Sequence, residues 1–199
     1  INDDFKSVSE LEDNNSLFSL NNAFTNKFYK ITIEKGYSLK KPLVVYHTTN
    51  DKIKYRNINL KLEFQLEQNS SLKLIDLFND EAENNFINIF YNFDLKENAI
   101  LKNYKIDKTL NKNIRYSFNN IEHGDNSVSE TFVLSSGSNF SKNEINCNLK
   151  GKYSSAFVNG IFSLNDEKHH EIRTINNHLV ENTKSYQLIK SVLGKNSKS

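Results

Sequence analysis

The sequence predicts an all-β fold in which short strands stack as a β-solenoid, and three observations carry that prediction. Strict period-two alternation is the first: Ile58, Leu60, Leu62, Phe64 and Leu66 are interleaved with Asn59, Lys61, Glu63, Gln65 and Glu67, as a strand with one buried face requires. The second is a repeat. Polar turns precede the strand-opening residues Leu72, Ile100, Val128 and Ala156, which are spaced by 28, and a fixed period of this size marks an architecture whose units cover one another. The third is that the apolar residues of these segments lack the spacing of three and four that a helix needs.

In chain order, residues 1–25 mix acids, asparagines and a few apolar positions, with Ser7 to Leu11 and Asn14 to Asn22 read as a short helical or irregular lead-in. Residues 26–199 form the repeat core. Its first strands are expected at Lys30 to Ile33 and Leu43 to His47, punctuated by Gly36 and Pro42. The alternation of Ile58 to Leu66 returns at Ile87, Ile89, Tyr91, Phe93 and Leu95. It returns again at Ile114, Tyr116 and Phe118, and at Ile145, Cys147 and Leu149; each set is expected to face the interior. Asn79 to Asn85 is the expected mobile loop. The rival architecture is an antiparallel sandwich, since short strands with regular turns suit both.

Composition narrows the function classes. Twenty-six basic and 24 acidic side chains leave a formal charge of +2, too small a field to name a nucleic acid or an anionic membrane as partner. The apolar runs fall short of a membrane span, and Ile1 to Glu12 does not read as a signal peptide. The single cysteine, Cys147, excludes an internal disulfide framework and suits a reducing, cytoplasmic setting. The absence of methionine, even at position 1, and a last apolar run stopping near Val192 suggest a piece of a longer protein. Abundant asparagine would suit disorder, but aromatic and β-branched residues are too plentiful for it.

Few residues point to chemistry. Cys147 lies in phase with Ile145 and Leu149, which places its sulfur on the buried face as an inert apolar group. His169, His170 and His178 fall within ten residues, with Glu171 and Arg173 between. Imidazoles beside a carboxylate can hold a metal, but no second ligand pair or HExxH spacing accompanies them, and turn or interface positions are the expected reading. His47 and His123 stand alone, at strand ends or turns. Asp80, Glu81 and Glu83 occupy a polar loop, not two sides of a scissile bond. Asn14, Asn69 and Asn139 head N-x-Ser triplets that an asparagine-rich chain produces by chance. P-loop, dinucleotide and nucleophile-elbow motifs are absent from the sequence. No catalytic, cofactor-binding or metal-binding residue is therefore assigned.

The run His169-His-Glu-Ile-Arg-Thr-Ile-Asn-Asn-His178, then Asn182-Thr-Lys-Ser185, then Gln187-Leu-Ile-Lys190-Ser-Val-Leu193 resembles a signature of the SufB/SufD family. Upstream, Asn21-Asn-Ala-Phe24 and the Gly36, Leu39, Pro42, Leu43 spacing are similar to the region that precedes that family's first coils. The resemblance spans most of residues 17–199 and is most specific over His169 to Leu193. Arg173 stands where a second histidine is common, which weakens a metal reading.

The resemblance implies a right-handed parallel β-helix in the SUF system that builds iron–sulfur clusters. It implies partnership with SufB and the SufC ATPase in a hetero-oligomer, as a scaffold and not an enzyme. The Asn-Thr-x-Ser and Lys-x-Val-Leu blocks look more like SufD, although Gly194 to Ser199 resembles SufB as much. The cluster is expected to form transiently on the whole complex, with no ligand carried by these residues. The other classes weighed are the SufB paralogue, a pectin-lyase-like carbohydrate-active solenoid, which would group Asp, Lys and Arg on one coil, and an adhesive surface solenoid.

Overall fold

The computed structural model describes residues 15–49, 52, 54–79, 81–108 and 112–199. Among the described residues one helix, α1 (Ser16–Ala23), is followed by twelve strands: β1 (Lys27–Ile33), β2 (Leu43–His47), β3 (Asn57–Leu66), β4 (Ser71–Phe78), β5 (Phe86–Leu95), β6 (Ile100–Asp107), β7 (Ile114–His123), β8 (Val128–Ser135), β9 (Phe140–Leu149), β10 (Ser155–Leu164), β11 (His169–His178) and β12 (Lys184–Leu193). Each strand pairs with the one two places along the chain, and the pairs are parallel. Odd strands build one six-stranded sheet and even strands the other. The chain is therefore a stack of two-stranded rungs, a parallel β-solenoid. Parallel pairing with a strand skipped excludes hairpin connections and with them the antiparallel sandwich.

Strand register is less uniform than the sequence spacing. The ladder Ser71, Ile100, Val128, Ser155, Lys184 advances by 29, 28, 27 and 29 residues. Leu72 is partnered with Leu101, and Ala156 with Ser129, so both point inward and are fully buried, whereas Ile100 points out and is 39 % exposed. The constant 28 thus crosses from one face to the other. A one-residue shift in a strand changes the side a residue faces, so equal spacing alone does not identify a column.

The interior holds the expected apolar residues of β3, β5 and β9. Phe64 and Phe93 stack at 5.0 Å between ring centroids, and Leu66, Ile89, Leu95, Ile145, Cys147 and Leu149 are almost fully enclosed. In β7 the expectation fails. Ile87, Ile89 and Tyr91 lie beside Arg115, Ser117 and Asn119, so Ile114, Tyr116 and Phe118 face outward. Tyr116 and Phe118 are nevertheless buried, because α1 lies over them. Phe18 sits 4.6 Å from Phe90 and 5.8 Å from Phe118 between ring centroids, and Lys61 reaches over the Phe90 ring at 5.5 Å. The helix starts at Asn15, whose Oδ1 accepts from Leu17 N and Phe18 N, the capping role that favours asparagine there. The same side chain donates to Tyr116 Oη at 2.7 Å and Glu144 Oε2 at 3.0 Å, fixing the helix to two rungs.

Turns are stacked as strictly as strands. At the corner between odd and even strands, Asn69, Asn98, Asn126 and Asn182 adopt positive φ, which asparagine tolerates better than most residues. Asn98 Nδ2 donates to Asn69 Oδ1 at 2.9 Å. At the opposite corner, Asn85 Oδ1 accepts from Arg56 N, and Asn113 Oδ1 from Asn85 N. The abundant asparagine thus closes backbone donors between rungs. The segment Asn79 to Asn85, expected to be mobile, is instead anchored: Asn79 N donates to His47 O, Asn113 Nδ2 to Ala82 O, and Ala82 and Asn85 are buried; Asp80 lies outside the described residues.

Close stacking makes one glycine sharply restrictive. A β-carbon on Gly151 would sit 2.0 Å from the backbone of Gly124 one rung away. Gly151→Ala must therefore push two rungs apart, and a loss of more than about 2 kcal/mol of stability is expected, read as a lower urea midpoint. An unchanged midpoint would refute the stacking at that corner.

Candidate functional site: a polar spine inside the coil

The solenoid interior is not uniformly apolar. The alternation that turns Leu72 and Leu74 inward also turns Asp76 inward, and its register partner on β6 is Lys105. Lys105 Nζ donates to Asp76 Oδ2 at 2.9 Å, Tyr91 Oη donates to the same oxygen at 2.5 Å, and His47 Nε2 lies 2.6 Å from Oδ1. The Lys105 ammonium also stands 3.4 Å from the Tyr91 ring centroid. Burial would raise the Asp76 carboxyl, but Lys105, His47 and Tyr91 outweigh it and hold the group well below the usual carboxylate range. Tyr91 is pushed up by burial and by the neighbouring carboxylate. Burial lowers Lys105 despite its ion pair.

Further along the axis, Arg115 of β7 pairs with Asp107 of β6 and lies over the Phe78 ring at 4.2 Å. Ser138 Oγ reaches Asp107 Oδ2 at 3.4 Å. His170 donates from Nε2 to Ser138 O at 2.9 Å, which leaves Nδ1 to accept from Ser135 Oγ at 2.8 Å. Two carboxylates, two cations and two histidines therefore run along one side of the interior. Around Asp76 the donors and acceptors are turned on one another, an arrangement that locks rungs together, while Asp107 Oδ1 finds no hydrogen-bond partner among the described residues. Asn103 stands apart from that arrangement: neither side-chain polar atom finds a hydrogen-bond partner among the described residues.

The three clustered histidines separate. His169 points outward, 3.1 Å from Glu171 and edge-on to Phe140. Its neighbour His170 points inward and is fully buried, contrary to the turn or interface position expected of it. His178 ends β11 at the corner, where its ring contacts Thr183 Oγ1 at 2.6 Å and Ser185 Oγ at 2.9 Å. His123 repeats that arrangement with Ser127 and Ser129, each at 3.0 Å. His123, Leu149 and His178 occupy one column, so the Asn-Thr-x-Ser block after His178 is a corner motif that also occurs as Asn126-Ser-Val-Ser129. No group of three or more His, Cys, Asp or Glu among the described residues is placed to hold a metal. Cys147 is buried as expected, and desolvation pushes its thiol up to about 12. Glu81 is exposed and Glu83 half-buried.

The spine escaped sequence reasoning, although it left a signal: Asp76 and Lys105 break their strands' apolar alternation 29 residues apart.

Fold and interior together define a β-solenoid whose buried polar groups hold its rungs in register. A family model, SUF system FeS cluster assembly, SufBD core domain, matches residues 47–199. The chain belongs to the SufBD family, and is thereby a component of SUF iron–sulfur cluster assembly. No curated protein matches the chain. Among the described residues no helix is long and apolar enough to cross a membrane.

Two tests follow from the spine and the corner histidines. Lys105→Met leaves Asp76 charged and without its cation, and a loss of about 3 kcal/mol or more is expected in chemical denaturation. Adding Asp76→Leu should restore most of it; additive losses would show that the pair does not act as a unit. Burial pushes His123 down from 6.5 to about 4. The native ring thus stays neutral while the unfolded one takes a proton. This contribution is fully present above about pH 6.5 and falls away as pH drops toward 4, by roughly 3 kcal/mol in total. In His123→Gln that segment of the stability–pH curve should flatten; a curve parallel to wild type would contradict the assignment.

Proposed function

We propose that the chain is a SufD-type scaffold subunit of the SUF system, cytoplasmic and not itself catalytic. It pairs with a SufB homologue and works with the SufC ATPase while the iron–sulfur cluster, as cargo, is built on the complex. The match to the SufBD core over residues 47–199 carries the reading. An interior filled by side chains that serve one another supports a scaffold over a substrate-transforming coil. The SufD preference rests on the Asn182-Thr-Lys-Ser185 and Lys190-Ser-Val-Leu193 blocks. Those residues form the corner after His178 and the end of β12.

The test is co-expression of the affinity-tagged full chain with the SufB, SufC and SufD homologues of the same genome, followed by anaerobic pull-down. Retention of SufB together with SufC is the expected result. Retention of SufD in place of SufB would make this chain the SufB paralogue, and capture of none of the three would refute the scaffold reading.

A further inference from the structure

The two outer faces of the solenoid differ in a way the interior does not require. On the odd-strand sheet, α1 covers Phe90 and Phe118. Beyond the helix, polar side chains bond to one another: Asn120 donates to Asn92 Oδ1, Asn148 to Glu122 Oε1, and Lys150 pairs with Glu122. Most of that face is covered or paired with itself; Phe28 and Ile114 on it are 52 % and 47 % exposed, but they stand apart and form no column with each other.

The even-strand sheet has no such cover among the described residues. Its outward positions form two adjacent apolar columns, Ile75, Tyr104 and Phe132 in one, and Leu77, Ile106 and Leu134 in the next. These side chains are only half-buried by their neighbours. The second column extends to Tyr46, 56 % exposed, on β2 and to Ile161, 41 % exposed, on β10, and the first to Val44, 49 % exposed, on β2. A contiguous apolar face on a sheet is unusual unless something covers it. The charges on the outward positions of these strands are one-sided: Lys73, Lys102, Lys184 and Lys190 against Glu130. Glu130 is paired with Lys102 at 3.1 Å, which leaves the balance basic.

We propose that this face is the docking surface for an amphipathic helix of a partner protein, with an apolar stripe on the two columns and carboxylates opposite the lysines. Charge decides the occupant. A second copy would set lysines against lysines, and like charges across an interface oppose association. An acidic rim matches them. The molecule already shows the seating on its other face, where Phe18 of α1 drops between rings of adjacent rungs. The inference rests on the geometry and charge of this face and stands apart from the choice between SufD and SufB.

The probe is a synthetic helical peptide with a leucine and phenylalanine stripe flanked by glutamates, and its twin flanked by lysines. Each is titrated into the full chain by fluorescence anisotropy at low and high salt. Saturable binding of the glutamate peptide is expected, weakened at least about tenfold by Phe132→Asp, by the pair Lys73→Glu and Lys190→Glu, and by high salt. Lys142→Glu on the opposite face should change nothing. The charge-reversal pair keeps the test valid if Phe132→Asp unfolds the chain. The proposal is overturned by no binding of the glutamate peptide, by equal binding of the lysine peptide, or by indifference to the charge reversals. It is also overturned if sedimentation shows dimers that Phe132→Asp dissolves, or if anionic vesicles bind through these residues and the peptide does not.

Discussion

Every feature of this molecule depends on one constraint: each strand finds its hydrogen-bonding partner two strands along the chain, in parallel and in register. A rung has only its two neighbours to bury against. What matters is therefore the chemistry of columns of residues roughly one rung apart, not of segments contiguous in sequence. A leucine in such a column asks for another apolar group above and below, and an aspartate asks for a cation. Asp76 finds Lys105 there, and Leu66 finds Leu95.

The buried charges gain their meaning from this. An ion pair inside a protein is weak support for stability in its own right, because desolvation offsets most of the attraction. It is, however, intolerant of slippage. Moving β6 by one residue against β4 would carry Lys105 to the outside and leave Asp76, fully buried, without its counter-charge. Arg115 and Asp107 impose the same condition where β6 leads into β7, and His170 imposes it between β8 and β11. The spine acts as a register device in a fold whose apolar ladders resist a one-residue slip, which turns them outward, but resist less a two-residue slip, which keeps apolar residues inside.

This division also explains what was legible in the sequence. The β3, β5 and β9 alternations identified their inward faces because Leu62, Phe64 and Leu66, Ile89, Tyr91 and Phe93, and Ile145, Cys147 and Leu149 point to the interior, although Asn59, Lys61, Asn88, Phe90 and Glu144 on the opposite side are buried as well. In β7 the logic inverts. Arg115, Ser117 and Asn119 enter the coil to meet the spine, while Tyr116 and Phe118 are buried from outside by α1. A strand with a helix on its outer face carries two buried sides, and period-two reasoning cannot tell which apolar set belongs to which. His170 was misread for a related reason. Its neighbour His169 faces solvent, and the alternation that separates them depends on where β11 begins, which the turn decides.

The corner histidines bear on how much the family signature says about chemistry. His178 with Thr183 and Ser185 lies within the most specific part of the resemblance, His169 to Leu193, yet His123 with Ser127 and Ser129 builds the same corner two rungs earlier. A motif that one chain uses twice to turn a strand records how the solenoid bends, and its imidazoles are already engaged by hydroxyls. Recognition by this protein must then fall to surfaces that rung stacking leaves free. Of the two broad outer faces, one is covered over most of its extent by α1 and by its own ladder of amides and ion pairs. The other keeps its apolar columns uncovered and its lysines in excess, so specificity for a partner has the most room to reside there.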